Sequence, residues 1–360
     1  MAAILAAGAI GIGIGSQLHD SSSSVAPTSL IKPAASAPSS SKSLPSPNGS
    51  AAGATLTLDQ VVAKVDPAVV DINTTMTNGR AAGTGMVLTS DGVVLTNNHV
   101  IADATDIQVQ INGTGTVYKA DVLGYDVTDD VALIKLENAS HLATVSIGDS
   151  SAVSVNDDVV ALGNALGKGG TPAVATGVIT ALDQHITVSD ETGGDTETLS
   201  GLIEINAGLQ PGDSGGPLVN TSGQVIGMDT AASGSSRRSA AADGYAIPIK
   251  SALGIAQQIQ AGKSSAKVHI GDRALLGVEI RDGQTGATVV GVEDGSPAAS
   301  AGLTEGDTIV GIDSTKVADS AGLQSALDTH KPGDHVQVSW VDADGASHHA
   351  QATLSSGPPA

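Results

Sequence analysis

A serine between glycines is the strongest chemical signal in this sequence. Residues 210–218 read Q-P-G-D-S-G-G-P-L, so Ser214 follows Gly212 and Asp213 in what must be a tight turn. Glycine tolerates the positive φ angles of such a turn, which lets neighbouring N–H groups converge on one point. A nucleophile and a group of donors for a developing oxyanion can be built together in this way. The pattern predicts nucleophilic chemistry at Ser214.

A serine hydroxyl is a weak nucleophile, so this prediction requires a histidine base and a carboxylate that orients it. His99 follows the apolar run 93–95, which is typical of a buried strand. Asp130 directly precedes a second apolar run, V-A-L-I-K-L. Asp129 is the alternative acid, and Asp130 is preferred because it adjoins the buried strand. The order His99, Asp130, Ser214 is that of chymotrypsin-like enzymes, and it differs from the orders of subtilisins and α/β-hydrolases.

Each of these signals has another interpretation when it stands alone. The chain has nine histidines, most of which are expected on the surface or in loops. Asp129 and Asp130 could be a solvated pair, and G-D-S-G-G could be an ordinary glycine-rich turn. Because the three signals occur together and in one consistent order, the catalytic interpretation is favoured.

Five motifs resemble the HtrA or Deg family of bacterial trypsin-fold serine proteases. They are G-T-G-M-V-L-T-S-D-G-V-V-L-T-N-N-H-V (83–100), D-D-V-A-L-I-K-L (129–136), A-L-G-N-A-L-G (161–167), A-T-G-V-I-T-A-L (175–182) and P-G-D-S-G-G-P-L-V-N (211–220). The resemblance implies an all-β chymotrypsin-like double β-barrel with the triad in the cleft between barrels. It also implies that the backbone of Gly212, Asp213 and Ser214 forms the oxyanion hole, with the N–H groups of Gly212 and Ser214 as its donors.

A second motif, V-V-G-V-E-D-G-S-P-A-A-S-A-G-L-T-E-G-D-T-I-V-G-I-D (289–313), resembles an α+β PDZ domain. Such a domain adds the C-terminal strand of a ligand to its own sheet. The resemblance implies a peptide-binding site at Leu275, Leu276, Gly277 and Val278, with Leu323 on the opposite helix. For Leu323 a role in the core fits the sequence as well as a role in the groove.

The resemblance also locates the substrate pocket. In trypsin-fold enzymes the residue six positions before the nucleophile lies at the base of the pocket, and here it is Gly208. With Leu209 beside it and no carboxylate present, cleavage after small or medium apolar residues is expected. Tyr245, Ala246 and Ile247 resemble the strand that pairs with substrate and forms a pocket wall.

Composition limits the alternatives. A chain of 360 residues exceeds one typical core, which favours two domains. The absence of cysteine excludes disulfides, a thiol nucleophile and thiolate metal sites. A net charge of −21 argues against nucleic acid as a partner, because its phosphates would be repelled. Neither a metal nor a cofactor is expected.

Shifts in composition divide the chain into segments. Residues 1–18 are apolar and are interpreted as a remnant of a signal or membrane anchor. The remaining segments are a Ser/Pro/Ala-rich disordered linker (19–56), a protease domain (57–262), a linker (263–272), a PDZ domain (273–355) and a tail (356–360). An apolar segment followed by a flexible stalk predicts an extracytoplasmic protein, tethered to the membrane or secreted.

These features together predict a serine endopeptidase of the HtrA type. The expected substrates are unfolded or damaged extracytoplasmic proteins, as in protein quality control under stress, and the PDZ domain would bind C-terminal peptides. A homotrimer is a further expectation from the resemblance, and the loop 184–200 is one of three expected to order on activation. The alternative function is a PDZ-bearing chaperone or scaffold whose protease domain rests in an inactive state.

Overall fold

A capped helix opens the first folded domain of the chain. The structure is a computed structural model that describes residues 44, 55–77, 79–189, 196–230 and 244–359, so the apolar segment 1–18 lies outside the described residues. Helix α1 (Leu58–Val65) follows Thr57, whose hydroxyl accepts a hydrogen bond from the Gln60 N–H at 3.4 Å. The Gln60 side chain accepts one from the Thr57 N–H at 3.0 Å. These reciprocal bonds satisfy N–H groups that the first turn of a helix leaves unpaired.

The first barrel is built from strands rich in Val, Ile and Thr. They are β1 (Val69–Met76), β2 (Gly79–Val87), β3 (Val93–Thr96), β4 (Ala104–Ile111), β5 (Val117–Asp126) and β6 (Val131–Leu136). Their order is β5-β4-β1-β2-β3-β6, and β5 also pairs with β6, which closes the sheet. Fully buried aliphatic side chains such as Ile72, Leu95 and Leu133 form the core. A short helix, α2 (Asn98–Ile101), follows β3.

The second barrel is closed as well. It consists of β7 (Asp158–Gly163), β8 (Ala173–Ser189), β9 (Thr196–Ile205), β10 (Pro217–Asn220), β11 (Val225–Thr230) and β12 (Gly244–Pro248). Helix α3 (Ile249–Gln260) follows β12. The prediction of a loop over 184–200 is wrong for most of that range, because β8 and β9 extend into it and pair there, with Thr187 opposite Thr198.

The C-terminal part forms its own sheets, except for its first strand, which joins the first barrel. Its elements are β13 (Val268–Ile270), β14 (Arg273–Leu275), β15 (Val278–Asp282), β16 (Ala287–Val292), α4 (Pro297–Ala301), β17 (Thr308–Ile312), β18 (Thr315–Lys316), α5 (Ser320–Leu327), β19 (His335–Val341), β20 (Ser347–Thr353) and β21 (Ser355–Gly357). The main sheet has the order β15-β16-β17-β19-β20, so β15 is an outer strand. Trp340 on β19 is 6% exposed in this core and stacks on His348 with a centroid distance of 5.5 Å.

The segments that the sequence predicted as a linker and a tail contribute to the sheets. Within 263–272, strand β13 pairs with β5 and extends the first barrel. Within 356–360, β21 pairs with β14, and the Pro359 carbonyl accepts a hydrogen bond from the Asp103 N–H at 2.8 Å. The predicted fold class, a double β-barrel followed by an α+β domain, is confirmed. No helix in the described part of the chain is long and apolar enough to span a membrane.

Candidate active site

His99 and Asp130 meet because their strands are neighbours. β3 and β6 pair antiparallel, with Thr96 opposite Ala132, so the residues that follow β3 lie beside those that precede β6. Asp130 Oδ2 lies 2.9 Å and Oδ1 3.1 Å from His99 Nδ1, and Oδ1 accepts the His99 backbone N–H at 3.0 Å. A carboxylate at Nδ1 places the proton of a neutral imidazole there, which leaves Nε2 unprotonated. The ring is therefore oriented to accept a proton at Nε2.

Two further hydrogen bonds hold Asp130 in place, and the neighbouring Asp129 does not contact His99 in this way. The Thr230 hydroxyl donates to Asp130 Oδ2 at 3.4 Å, and the Asn97 amide donates to the Asp130 carbonyl at 2.9 Å. Asp129 is more exposed and forms an ion pair with Lys267 at 3.0 Å. The structure thus brings Asp130, rather than Asp129, to His99.

Ser214 lies at the seam between the barrels. It is 5% exposed, and its carbonyl accepts a hydrogen bond from the Thr84 N–H at 2.8 Å. The next residue, Gly215, donates its N–H to the Asp229 carbonyl at 2.8 Å. Asp229 precedes Thr230, which contacts the Asp130 carboxylate. Hydrogen bonds therefore connect the Ser214 turn to the pair formed by His99 and Asp130.

Three carbonyls around Ser214 are held by donors. The Pro211 carbonyl accepts from the Leu166 N–H at 2.6 Å, the Gly212 carbonyl from the Thr84 hydroxyl at 2.7 Å, and the Asp213 carbonyl from the Gly216 N–H at 2.9 Å. In a trans peptide the N–H points opposite to the carbonyl of the same unit. Fixing these carbonyls fixes the directions of the N–H groups of Gly212, Asp213 and Ser214.

One of these three N–H groups is already used within the turn. The Asp213 N–H donates to the Gln210 carbonyl at 3.0 Å, so we do not assign it to an oxyanion hole. Gly212 has a φ of 99°, and a Cβ there would lie 2.3 Å from the Asn164 carbonyl oxygen. Only glycine fits this position. Because the Asp213 N–H is already bonded, the N–H groups of Gly212 and Ser214 are the candidate donors.

Buried carboxyls belong to the barrels, and two of them, Asp71 and Asp229, carry no sequence motif that marks a functional site. Asp229 is fully buried, and burial together with the nearby Asp213 raises its pKa well above the usual range. Burial also raises the pKa of Asp213, whose Oδ2 accepts the Gln210 N–H at 2.8 Å. In β1, burial and then the charge of Asp66 raise the pKa of Asp71 to about 6. In the sequence, Asp71 and Asp229 each follow apolar residues of a strand, V-V-D in β1 and V-I-G-M-D in β11.

The predicted substrate residues separate into two groups. Gly208 is exposed and has no other atom within 4 Å of a Cβ placed on it, and the Leu209 side chain contacts Gly244 at the start of β12. Ala246 and Ile247 are buried in the barrel core. Tyr245 and Ala246 pair with β9 on one side and β11 on the other. The prediction that this strand pairs with substrate is therefore wrong, because barrel closure occupies both of its edges.

The five predicted peptide-binding residues line one groove in the C-terminal domain. It has a volume of about 190 Å³ and lies between the β14–β15 segment and helix α5. Its walls include Leu275, Leu276, Gly277 and Val278 on one side and Leu323 on the other. Leu323 is 1% exposed, so it contributes to the core as well as to the floor of the groove.

Hydrogen bonds also hold the carbonyls of the loop 275–277, which lines this groove. The carbonyl of Leu275 accepts from the Ser355 hydroxyl at 3.3 Å, that of Leu276 from the Ala298 N–H at 2.9 Å, and that of Gly277 from the Glu293 N–H at 3.1 Å. The N–H groups of Leu276, Gly277 and Val278 therefore point the other way. Gly277 has a φ of 76°, and a Cβ there would lie 2.3 Å from the Ser296 Cβ. Such a loop can receive a carboxylate.

Comparisons with known proteins agree with this geometry. The trypsin-like peptidase domain family matches residues 83–228, and the PDZ domain family matches residues 274–346. The serine protease PepD of Mycobacterium tuberculosis is 32% identical over 314 residues, which cover 82% of this chain and 66% of PepD. The Do-like serine protease HtrA of Lactococcus lactis is 32% identical over 281 residues, 74% of this chain and 67% of the relative.

A third relative is the periplasmic pH-dependent serine endoprotease DegQ of Escherichia coli. It is 34% identical over 271 residues, which cover 71% of this chain and 55% of DegQ. The chain thus matches between 55% and 67% of the length of these relatives. Both domain families, in this order and with this share of the chain, lead to one conclusion: the chain belongs to the HtrA family of serine proteases.

Proposed function

We propose that this protein is a serine endopeptidase in which Ser214 is the nucleophile, His99 the general base and Asp130 the carboxylate that orients it. The bond from His99 Nδ1 to Asp130 at 2.9 Å carries the proposal, because it leaves Nε2 ready to accept a proton. Membership of the HtrA family supports the same assignment.

The reaction follows from these roles. Ser214 Oγ attacks the scissile carbonyl carbon as its proton passes to His99 Nε2, and the carbonyl π pair moves onto the oxygen. The N–H groups of Gly212 and Ser214 stabilise that oxyanion. The imidazolium then gives its proton to the leaving amine as the C–N bond breaks, which produces an acyl-enzyme. Water hydrolyses this ester by the same proton transfers in the reverse sense and restores the serine.

The proposed substrates are unfolded or damaged proteins cleaved after small or medium apolar residues. Gly208 supplies no charge at the position assigned to the pocket base, and Leu209 adds an apolar surface next to it. A peptide library cut mainly after alanine, valine or leucine is the expected result. Dominant cleavage after arginine would contradict the assignment.

The C-terminal domain is proposed to bind C-terminal peptides. Its outer strand β15 has an edge available for a ligand strand, and the loop at Leu276 and Gly277 directs N–H groups into the groove. The periplasmic location in the name of DegQ supports an extracytoplasmic location for this protein. A role in protein quality control, a homotrimer and a membrane tether through residues 1–18 remain proposals from the sequence.

Cleavage of an unfolded model protein tests the proposed activity. Ser214→Ala should reduce the rate by roughly 10⁴- to 10⁶-fold, as expected when a triad loses its nucleophile. The exposed Ser154→Ala, in the same domain, is the matched control and should cleave like the parent. If parent and Ser214→Ala are equally inactive while both bind a hydrophobic C-terminal peptide, the chaperone or scaffold function replaces the enzymatic one.

A further inference from the structure

Thr84 connects the first barrel to the turn that precedes Ser214. It lies in β2, opposite Asp71 of β1, and is 0% exposed. Its N–H donates to the Ser214 carbonyl at 2.8 Å, and its own carbonyl accepts the Thr96 hydroxyl at 2.7 Å. The N–H and the carbonyl of this buried residue thus both form hydrogen bonds where the two barrels meet.

The Thr84 hydroxyl takes part in two hydrogen bonds, as donor in one and as acceptor in the other. It lies 2.7 Å from the Gly212 carbonyl oxygen, which can only accept, and 2.8 Å from the Asn164 N–H, which can only donate. The hydroxyl therefore donates to Gly212 and accepts from Asn164. The methyl group points elsewhere, since Thr84 Cγ2 lies 3.3 Å from a Cβ placed on Gly216.

The hydroxyl acts on the peptide unit between the two candidate oxyanion donors. This unit joins Gly212 to Asp213, so its orientation determines how the Gly212 N–H and the Ser214 N–H lie relative to each other. Its N–H is bound by Gln210 within the turn, and its carbonyl is bound by Thr84 from the other barrel. Without the hydroxyl, the carbonyl of Gly212 would lose this bond, and one restraint on rotation of the unit would disappear.

We propose that Thr84 is a positioning residue that holds the oxyanion hole open by fixing the Gly212–Asp213 peptide unit from the first barrel. The inference rests on the proposed function, because it assigns to Thr84 a part in stabilising the transition state. Thr84 does not contact the substrate. It acts through the Gly212 carbonyl, and its contribution appears when the oxyanion forms.

Thr84→Val keeps the shape of the side chain and removes the hydroxyl. We expect kcat to fall about 10- to 100-fold with KM changed less than about threefold, because a displaced oxyanion donor acts mainly on the transition state. Affinity for a peptide boronic acid should fall by a similar factor. Thr84→Ser restores the hydroxyl and should recover kcat to within about threefold of the parent.

Thr74→Val is the matched control, because it removes another buried hydroxyl of the same barrel, one that donates to the Ala81 carbonyl at 3.3 Å. It should retain the kcat of the parent. If the parent cleaves and Thr84→Val cleaves equally well, or if Thr84→Ser is as impaired as Thr84→Val, the proposal is overturned while the protease assignment stands. An inactive parent would instead contradict the proposed function.

The effect of the Thr84 variants on catalysis can be separated from an effect on folding. Circular dichroism and thermal unfolding show whether each variant is folded before its kinetics are compared. Should Thr84→Val fail to unfold cooperatively, Thr84→Ser and Thr84→Ala differ by the same hydroxyl in a smaller side chain. A kcat at least tenfold higher for the serine variant supports the proposal, and equal values overturn it.

Discussion

The turn before Ser214 and the loop at Leu275–Val278 solve the same problem in different surroundings. In each, donors hold successive carbonyls, and the N–H groups of the same peptide units point to the opposite side, where we propose that an anion binds. The turn receives one of these donors, the Thr84 hydroxyl, from the other barrel. The loop is held only by groups of its own domain, including the Ser355 hydroxyl. The proposed oxyanion hole thus depends on how the two barrels align, whereas the proposed peptide-binding loop is held within one domain.

The sharpest test of the turn is Gly212→Ala. The new Cβ would lie 2.3 Å from the Asn164 carbonyl oxygen at a φ of 99°, so the turn must shift. We expect kcat to fall about 10²- to 10³-fold, the usual effect of losing an oxyanion donor. Gly115→Ala, with a φ of 76° and no atom within 4 Å of the added Cβ, is the control for positive-φ strain. Equal steady-state rates in the two variants would contradict the assignment.

The matching change in the loop is Gly277→Ala. Its Cβ would meet the Ser296 Cβ at 2.3 Å, so affinity for a hydrophobic C-terminal peptide should weaken at least about tenfold. Gly295→Ala has a similar φ of 74° with no atom within 4 Å, and calorimetric titration should show parental affinity. If both variants bind alike, the carboxylate is held elsewhere.

Individual carboxyls of the two domains have pKa shifts in opposite directions. In the barrels, burial raises the pKa of Asp229, and the pKa of Asp71 is raised to about 6 from 3.8. The stability that a raised pKa provides is fully present below about 3.8 and is lost as the pH rises through about 6. In the C-terminal domain, backbone and side-chain hydrogen bonds from Ser320 lower the pKa of Asp282, and a hydrogen bond from His348 lowers that of Asp342. Those two carboxyls add stability as the pH rises, which is opposite to the effect of Asp71.

Asp71→Asn tests this contrast. At pH 7.5 it should raise the melting temperature of the barrels by roughly 3–6 °C, and by less at pH 4.5, because the amide has no proton to lose. The exposed Asp158→Asn controls for the change in net charge. Differential scanning calorimetry at both pH values measures the effect. An equal shift at both pH values would show that ionisation of Asp71 is not the cause.

The smallest expected effect is that of Ser355→Ala. Its hydroxyl bonds the Leu275 carbonyl at 3.3 Å, whereas backbone N–H groups hold the next two carbonyls. Peptide affinity should therefore weaken less than about threefold, the scale of one weak hydrogen bond. A loss as large as that of Gly277→Ala would mean that the loop depends on a single side chain, as we propose for the turn.

The sequence predicted those parts of the site that depend on residues close together in the chain. His99 and Asp130 could be identified because each adjoins a short apolar run that becomes a buried strand. The triad order and the glycine-rich turn identified the family for the same reason.

Contacts between residues far apart in the chain could not be predicted from the sequence. Thr84 and Gly212 are 128 positions apart, and nothing in the run of β2 distinguishes this threonine from others in the barrel. Thr230 reaches Asp130 across 100 positions. The sequence of β12 looks like a strand, but barrel closure decides that both of its edges are occupied. Such pairings appear only when the two barrels have closed and met.

The location of Trp340 gives the molecule a built-in optical label. It is the chain's one tryptophan, and it is buried in the C-terminal sheet, while the three tyrosines, Tyr118, Tyr125 and Tyr245, belong to the barrels. Because Trp340 is the chain's one indole, indole emission reports the C-terminal domain alone. Phenol emission reports the protease. One sample observed at two wavelengths can therefore follow the unfolding of each domain separately, without any added dye.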